Sequence, residues 1–177
     1  MLITEAYRKE LQEIHRQDED WGTGPRGNIL YIANFLYCNN VEKLLDYGCG
    51  KGENLRWFLP IEVSNYDPAM FEWSDDPEPE DYLLCTDVLE HIEPECIEDV
   101  IEHLVSKFNK KALLSISLQR SRKLLADGRN AHLLVKPDIW WTTLLKKYCN
   151  IEKADSVKTD MCYDLLITLN KQEKNYD

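Results

Sequence analysis

The run Asp46-Tyr47-Gly48-Cys49-Gly50-Lys51-Gly52 constrains this chain more than any other part of it. Three glycines in five positions let the backbone take dihedrals that side chains forbid and pass close beneath a bound group. Val41, Leu44 and Leu45 lead into the run and read as a strand over 41–46; Leu55, Trp57, Phe58 and Leu59 behind it read as a helix. Open α/β sheets bind nucleotides at such a turn, where a first strand ends and a helix begins. An ordinary glycine turn is the competing reading.

Spacing narrows the ligand. The dinucleotide pattern GxGxxG would need glycine where Glu53 stands, and the phosphate-loop pattern would need Ser or Thr where Gly52 follows Lys51. A pyrophosphate would be repelled by Glu53. A cationic ligand without phosphates would not, and Asp46 adds favourable negative potential.

The rest of the chain supplies the layers for one domain over 1–177: N-terminal helices in 1–40, a core over 41–170 and a frayed polar tail at 171–177. Leu2, Ile3, Tyr7, Leu11 and Ile14 recur at helical spacing, and Ile29 to Leu36 offer a second, largely buried helix. Strands are expected at 63–66, 82–85 and 112–118, with two closing strands at 151–157 and 162–169 joined by a turn around Thr159 and Asp160. Pro94 reads as the first residue of a helix whose apolar face is Ile97, Val100, Ile101, Leu104, Val105 and Phe108; another helix is expected over 138–148. Strands alternating with helices imply a doubly wound, mainly parallel α/β sheet with an antiparallel C-terminal pair. The acidic run 75–81, interleaved with Pro77 and Pro79, reads as a solvated loop.

Composition excludes some partners. A formal charge of −11 gives counterion release nothing to drive on most of the surface, so duplex DNA is not an expected partner. No run of about 18 apolar residues is present to span a membrane. The six cysteines lack CxxC spacing, and no basic-plus-apolar leader precedes them; they are expected to be reduced thiols in a cytoplasmic protein. No residue set is assigned to a metal.

Asp46, Gly48, Gly50 and Gly52 resemble the first motif of the class I S-adenosylmethionine-dependent methyltransferases, an acidic residue followed by xGxGxG. Asp67, in Asn65-Tyr66-Asp67-Pro68 about twenty residues on, matches the family's ribose-binding acidic residue; a carboxylate accepts two hydrogen bonds from a vicinal diol. Cys85-Thr86-Asp87-Val88-Leu89-Glu90-His91-Ile92 is similar to the family's fourth-strand segment, which faces cofactor and acceptor. The resemblance covers roughly 28–169 and implies a Rossmann-like fold. It further implies S-adenosyl-L-methionine as cofactor, S-adenosyl-L-homocysteine as product, and Asp46, Gly48, Cys49, Gly50, Gly52, Asp67, Pro68, Asp87 and Val88 as cofactor-binding residues. One departure stands out. Only fourteen residues separate Asp67 from Tyr82, where the family fits a helix, a third strand and an acidic residue near the adenine. The third strand is expected to be shortened or missing, and Ser74, Asp75 and Asp76 are the residues left to reach the adenine.

On the acceptor side, Arg120, Arg122, Lys123 and Arg129 form a basic run that ends at His132. It suggests an anionic small-molecule or nucleotide acceptor contacted by Arg129 and Glu90, although a solvated surface explains such a run equally well. His132 and His91 are the candidate bases, their ordinary pKa lying near neutrality. Trp21, flanked by glycines, is a candidate lid over the substrate, and Trp140 or Trp141 a candidate core residue. Three functions remain open: methyl transfer, a cofactor-cleaving or aminopropyl-transferring enzyme of the same fold, and a scaffold module.

Overall fold

The computed structural model describes residues 1–19, 21–22, 28–52, 55, 60–159 and 162–171. The helix expected directly after Gly52, the tip of the turn at Asp160 and the tail beyond Lys171 lie outside them.

Six strands make one sheet in the order β2-β1-β3-β4-β6-β5: β1 (Lys43–Tyr47), β2 (Glu62–Tyr66), β3 (Glu80–Thr86), β4 (Phe108–Ser117), β5 (Asn150–Lys158) and β6 (Tyr163–Asn170). The first four run parallel, and β6 is antiparallel to both β4 and β5. Between β2 and β3 the described chain makes a single 3-10 turn, Phe71–Trp73, and no strand. The family's third strand, expected to be shortened or missing, is absent among the described residues, and β2 is the sheet edge.

Side chains alternate across the strands and build a core on each face. Leu45, Leu83, Cys85, Leu114 and Ile116 meet α3 (Ile97–Ser106) and α4 (Asp138–Leu145) on one side; Leu44, Leu84 and Leu113 meet α2 (Ile29–Cys38) on the other. In α3 the buried residues Ile97, Val100, Ile101 and Leu104 follow the 3.6-residue period. Trp141 is fully buried against them and Trp140 packs edge-on to it. Only one face of α2 is buried, contrary to the expectation for this helix: Leu30 and Tyr37 are exposed.

Several boundaries move for identifiable reasons. Pro94 lies in a turn closed by the Cys96 amide donating to the Glu93 carbonyl, so α3 starts three residues later. Phe108 opens β4 and does not end the helix, because the Glu80 amide donates to the Lys107 carbonyl and draws the chain into register with β3. Helix α4 stops at Leu145; the Lys147 and Tyr148 amides donate three residues back, tightening the last turn. The end of the acidic run is strand, not loop: Glu80 and Asp81 sit in β3, paired with Lys43 at 2.8 Å and Lys110 at 2.7 Å.

Helix α1 (Glu5–Gln17) lies apart from both cores, in a small cluster where Tyr7 packs with Leu125 and Ala131. Thr4 caps it by accepting from the Tyr7 amide. All six cysteines are free. Among the described residues no helix is long and apolar enough to cross a membrane.

Candidate active site

A cavity of about 640 Å³ opens at the carboxyl ends of β1, β2, β3 and β4, roofed by α1 and by residues Ser121, Lys123 and His132 of the segment after β4. Its volume lies in the range of small-ligand sites.

The floor is the glycine loop. Gly48, Gly50 and Gly52 all have positive φ, so the sequence pattern is a backbone requirement. A Cβ on Gly50 would stand 2.8 Å from the Gly22 carbonyl oxygen, and one on Gly48 would collide with Val88. The loop spends its amides internally. Gly48 and Cys49 donate to the Tyr66 carbonyl at 2.7 and 3.1 Å, Gly50 donates to Asp67 Oδ2 at 3.0 Å, and Gly52 donates to the Cys49 carbonyl. Lys51 Nζ reaches away, to the carbonyls of Asp18 and Glu19. These four amides and the lysine are thus committed elsewhere, unlike those of a phosphate cradle.

Asp67 is pinned by two amides, Gly50 on Oδ2 and Ala69 on Oδ1, and each carboxylate oxygen retains a second lone pair. Burial raises its pKa, with those two bonds opposing. Burial, and then the charge of Asp67, push the Asp46 carboxyl up to about 7. Asp87 takes a left-handed conformation, φ 55°, its amide donating to the Ser115 carbonyl and its Oδ1 accepting from Ser115 Oγ at 3.2 Å. Its pKa is raised by burial and by Asp164. Asn28, before α2, leaves its helix uncapped and donates instead to Ser115 Oγ and to Asp164.

Glu90 lies in a 3-10 turn, Leu89–His91, and is fully buried. Its Oε1 accepts from the Ser117 amide at 2.9 Å, Oε2 has no hydrogen-bond partner among the described residues, and burial raises its pKa far above the carboxylate range. Burial, then the neighbouring His132, lower His91 to about 3. The two imidazoles meet edge to face with centroids 4.7 Å apart. His132 Nδ1 lies 2.6 Å from the Gln119 carbonyl; a carbonyl only accepts, so Nδ1 carries the proton and the Nε2 lone pair is free. Trp21 packs edge-on to His91, and Lys123 stands over the Trp21 ring while pairing with Asp18 at 2.6 Å.

Of the residues read from sequence, Asp46, Gly48, Cys49, Gly50, Asp67, Pro68, Asp87, Val88, Glu90, His91, His132 and Trp21 line this cavity. Gly52 does not; it faces Asn65 and Trp73. Nor does Arg129, whose guanidinium pairs with Asp127 at 2.5 Å and Glu10 at 3.6 Å. Ser74, Asp75 and Asp76 also stand away from it, Asp76 bound to His103 and Lys107. The anionic-acceptor reading finds other cations: Arg120 and Lys136 line a second cavity of about 370 Å³ that shares His132. Tyr7, His15, Asn28, Ser117 and Asp164 line the main cavity without having been anticipated. Only Asp164 carries a signal, as a charge inside an otherwise apolar strand.

Comparison with known proteins agrees with this geometry. The family model described as a methyltransferase domain matches residues 17–161. No curated protein sequence matches. Among solved structures, the chain is similar to Burkholderia thailandensis 1,6-didemethyltoxoflavin-N1-methyltransferase bound to 1,6-didemethyltoxoflavin and S-adenosylhomocysteine, at TM-score 0.70 and 16% identity over 94% of this chain and 88% of that one. It is similar to Synechocystis magnesium protoporphyrin IX methyltransferase bound to S-adenosylmethionine, at TM-score 0.66 and 13% identity over 93% and 97%. It also resembles Haemonchus contortus phosphoethanolamine N-methyltransferase 2 in complex with S-adenosylmethionine, at TM-score 0.60 and 11% identity over 92% and 60%. At such identities the likeness is one of fold.

Proposed function

The chain belongs to the methyltransferase domain family, and on that premise we propose that it transfers a methyl group from S-adenosylmethionine to a small-molecule or nucleotide acceptor. The observation that carries this reading is the charge and hydrogen bonding of the cavity. Among the described residues six carboxyl side chains line it, Asp46, Asp67, Asp87, Glu90, Glu93 and Asp164, of which burial holds Glu90 toward its neutral form, while the amides of Gly48, Cys49, Gly50 and Gly52 are bonded within the protein. A sulfonium with an α-ammonium group fits that field, and a pyrophosphate does not. The cofactor-bound state of the three similar structures supports the same ligand.

Asp67 accepts the ribose hydroxyls on the lone pairs its amide donors leave free, and the loop from Gly48 to Gly50 carries the methionine part. Asp87 and Val88 line the cofactor side of the β3 end. The acceptor enters beside Glu90, His91, His132 and Trp21. Holding it in line with the sulfonium supplies much of the rate, because the bimolecular reaction becomes one within a complex. Proton removal, where the acceptor needs it, falls to His132 through Nε2; His91, lowered to about 3, is too weak a base at neutral pH and packs against that ring. An anionic tail on the acceptor would lie toward Arg120 and Lys136, past His132.

Calorimetry with S-adenosylhomocysteine tests the cofactor. Binding is expected, and Asp67→Ala weakens it at least about tenfold, since one charge-assisted hydrogen bond is worth roughly 1.5–3 kcal/mol. Folded protein that binds neither S-adenosylmethionine nor S-adenosylhomocysteine would sink the proposal. Product mass separates the chemistries: S-adenosylhomocysteine as the sole cofactor product, formed only with an acceptor, is methyl transfer, and cleavage without one is not.

A further inference from the structure

Two buried polar atoms at the acceptor end of the cavity have no hydrogen-bond partner among the described residues. Glu90 Oε2 is one and His91 Nδ1 the other. Leaving such atoms unpaired costs about 1–3 kcal/mol each, more for a charged group. Beside them His132 presents a lone pair on Nε2, its tautomer fixed by the Gln119 carbonyl. One ligand atom from each of Glu90, His91 and His132 lies within 4.8 Å of the other two.

From this convergence we infer that Glu90, His91 and His132 form a binding site for a divalent first-row transition ion of the zinc, cobalt or manganese kind. Two imidazoles and one carboxylate suit borderline cations, and the oxygen-only preference of magnesium and calcium argues against those. Ligand distances of about 2.0–2.2 Å put the donor atoms of a bound ion roughly 3–3.5 Å apart. Side-chain rotation closes the remaining ångström or so. The supporting bonds are in place: the Ser117 amide holds the other oxygen of Glu90, and the Gln119 carbonyl holds the far nitrogen of His132. Asp87 and Asp164 add negative potential to Glu90. All three ligands line the cavity, so the positions left open on the ion face the acceptor space. With the ion bound, both histidines serve as ligands, and the proton-accepting role assigned to His132 above belongs to the metal-free protein.

The test uses the full chain without an affinity tag, stripped by chelator and titrated with cobalt(II) alone, followed by zinc(II) competition. One equivalent is expected, with visible d–d absorption and no thiolate charge-transfer band. Glu90→Gln, His91→Ala and His132→Ala each weaken uptake by at least about tenfold, the scale on which even outer-shell partners act, whereas Arg129→Ala leaves it unchanged. Absence of uptake, a cobalt–thiolate band, or affinity indifferent to all three substitutions overturns the site. Circular dichroism on the same samples reports whether each variant is folded, and S-adenosylhomocysteine calorimetry is run alongside. The calorimetry separates the two readings: metal uptake without cofactor binding sinks methyl transfer alone, and cofactor binding without metal uptake sinks the ion site alone.

Discussion

Asp46 ends β1 beside the glycine loop with its carboxyl pushed up to about 7, first by burial and then by Asp67. In the free protein it is therefore partly protonated at neutral pH, and a bound cation favours its ionised form. Binding of the sulfonium cofactor then releases a proton below about pH 7, so S-adenosylmethionine affinity is expected to rise between pH 5.5 and 7.5 and level off above. Calorimetry across that range checks it; a slope that persists in Asp46→Asn would place the titrating group elsewhere. The folded-state linkage has a definite sign. Because the native pKa is above the unfolded one near 3.9, the native state holds the proton more tightly, and this group's stabilisation fades as pH rises through about 7. Gly50 sets a steric condition on the same loop. Valine there must hold φ near 54° and place Cβ against the Gly22 carbonyl. Left-handed backbone alone costs roughly 1–2 kcal/mol, so Gly50→Val is expected to lower the melting temperature and to abolish cofactor binding. Retained affinity in a calorimeter would show that the loop tolerates displacement.

Helix α1 is held at its first turn by side-chain hydrogen bonds, and farther along by Glu10, which accepts from the Ala126 amide and pairs with Arg129, and by the packing of Tyr7, Leu11 and Ile14 with Leu125 and Ala131. Glu93 accepts from the Thr4 amide at 2.9 Å and the Thr4 hydroxyl at 2.7 Å, and Tyr7 Oη donates to the His91 carbonyl at 3.0 Å. Glu93→Ala removes two bonds to a charged group, roughly 1.5–3 kcal/mol each at most. Amide exchange in the first turn of α1 should accelerate by about tenfold or more while α3 stays protected; equal protection in mutant and parent would contradict the anchoring role of Glu93. This roof also marks where sequence reasoning ran out. The glycine loop and the strand ends at Asp67 and Asp87 were legible, because dihedral demands and strand-end position are local properties. So was the apolar stripe of α3, through its period. Tyr7, His15 and Asn28 reach the cavity only because α1 and the start of α2 fold over it, and no local pattern encodes that packing. Arg129 misled for the reverse reason. Its charge was visible in the sequence, but Asp127 and Glu10, which neutralise it, are partners set by a turn and by a helix more than a hundred residues away.

At the scale of the molecule, the cavity joins parts that the two main cores do not hold together. Its floor belongs to the sheet, and its roof to α1 and to the segment after β4. A bound cofactor bridges floor to roof, so binding should stabilise the whole fold and not only the loop. Mass action gives the size: ligand at a hundred times its dissociation constant contributes about 2.7 kcal/mol. A domain of this length gains roughly 2–4 °C per kcal/mol, so saturating S-adenosylhomocysteine is expected to raise the melting temperature by about 5–11 °C. Differential scanning fluorimetry with and without ligand measures the shift. Asp67→Ala at the same ligand concentration should lose most of it, because weaker binding lowers the ratio of ligand to dissociation constant that sets the stabilisation. A shift that is undiminished in Asp67→Ala would mean that the ligand stabilises the protein from somewhere other than the carboxyl ends of β1 and β2.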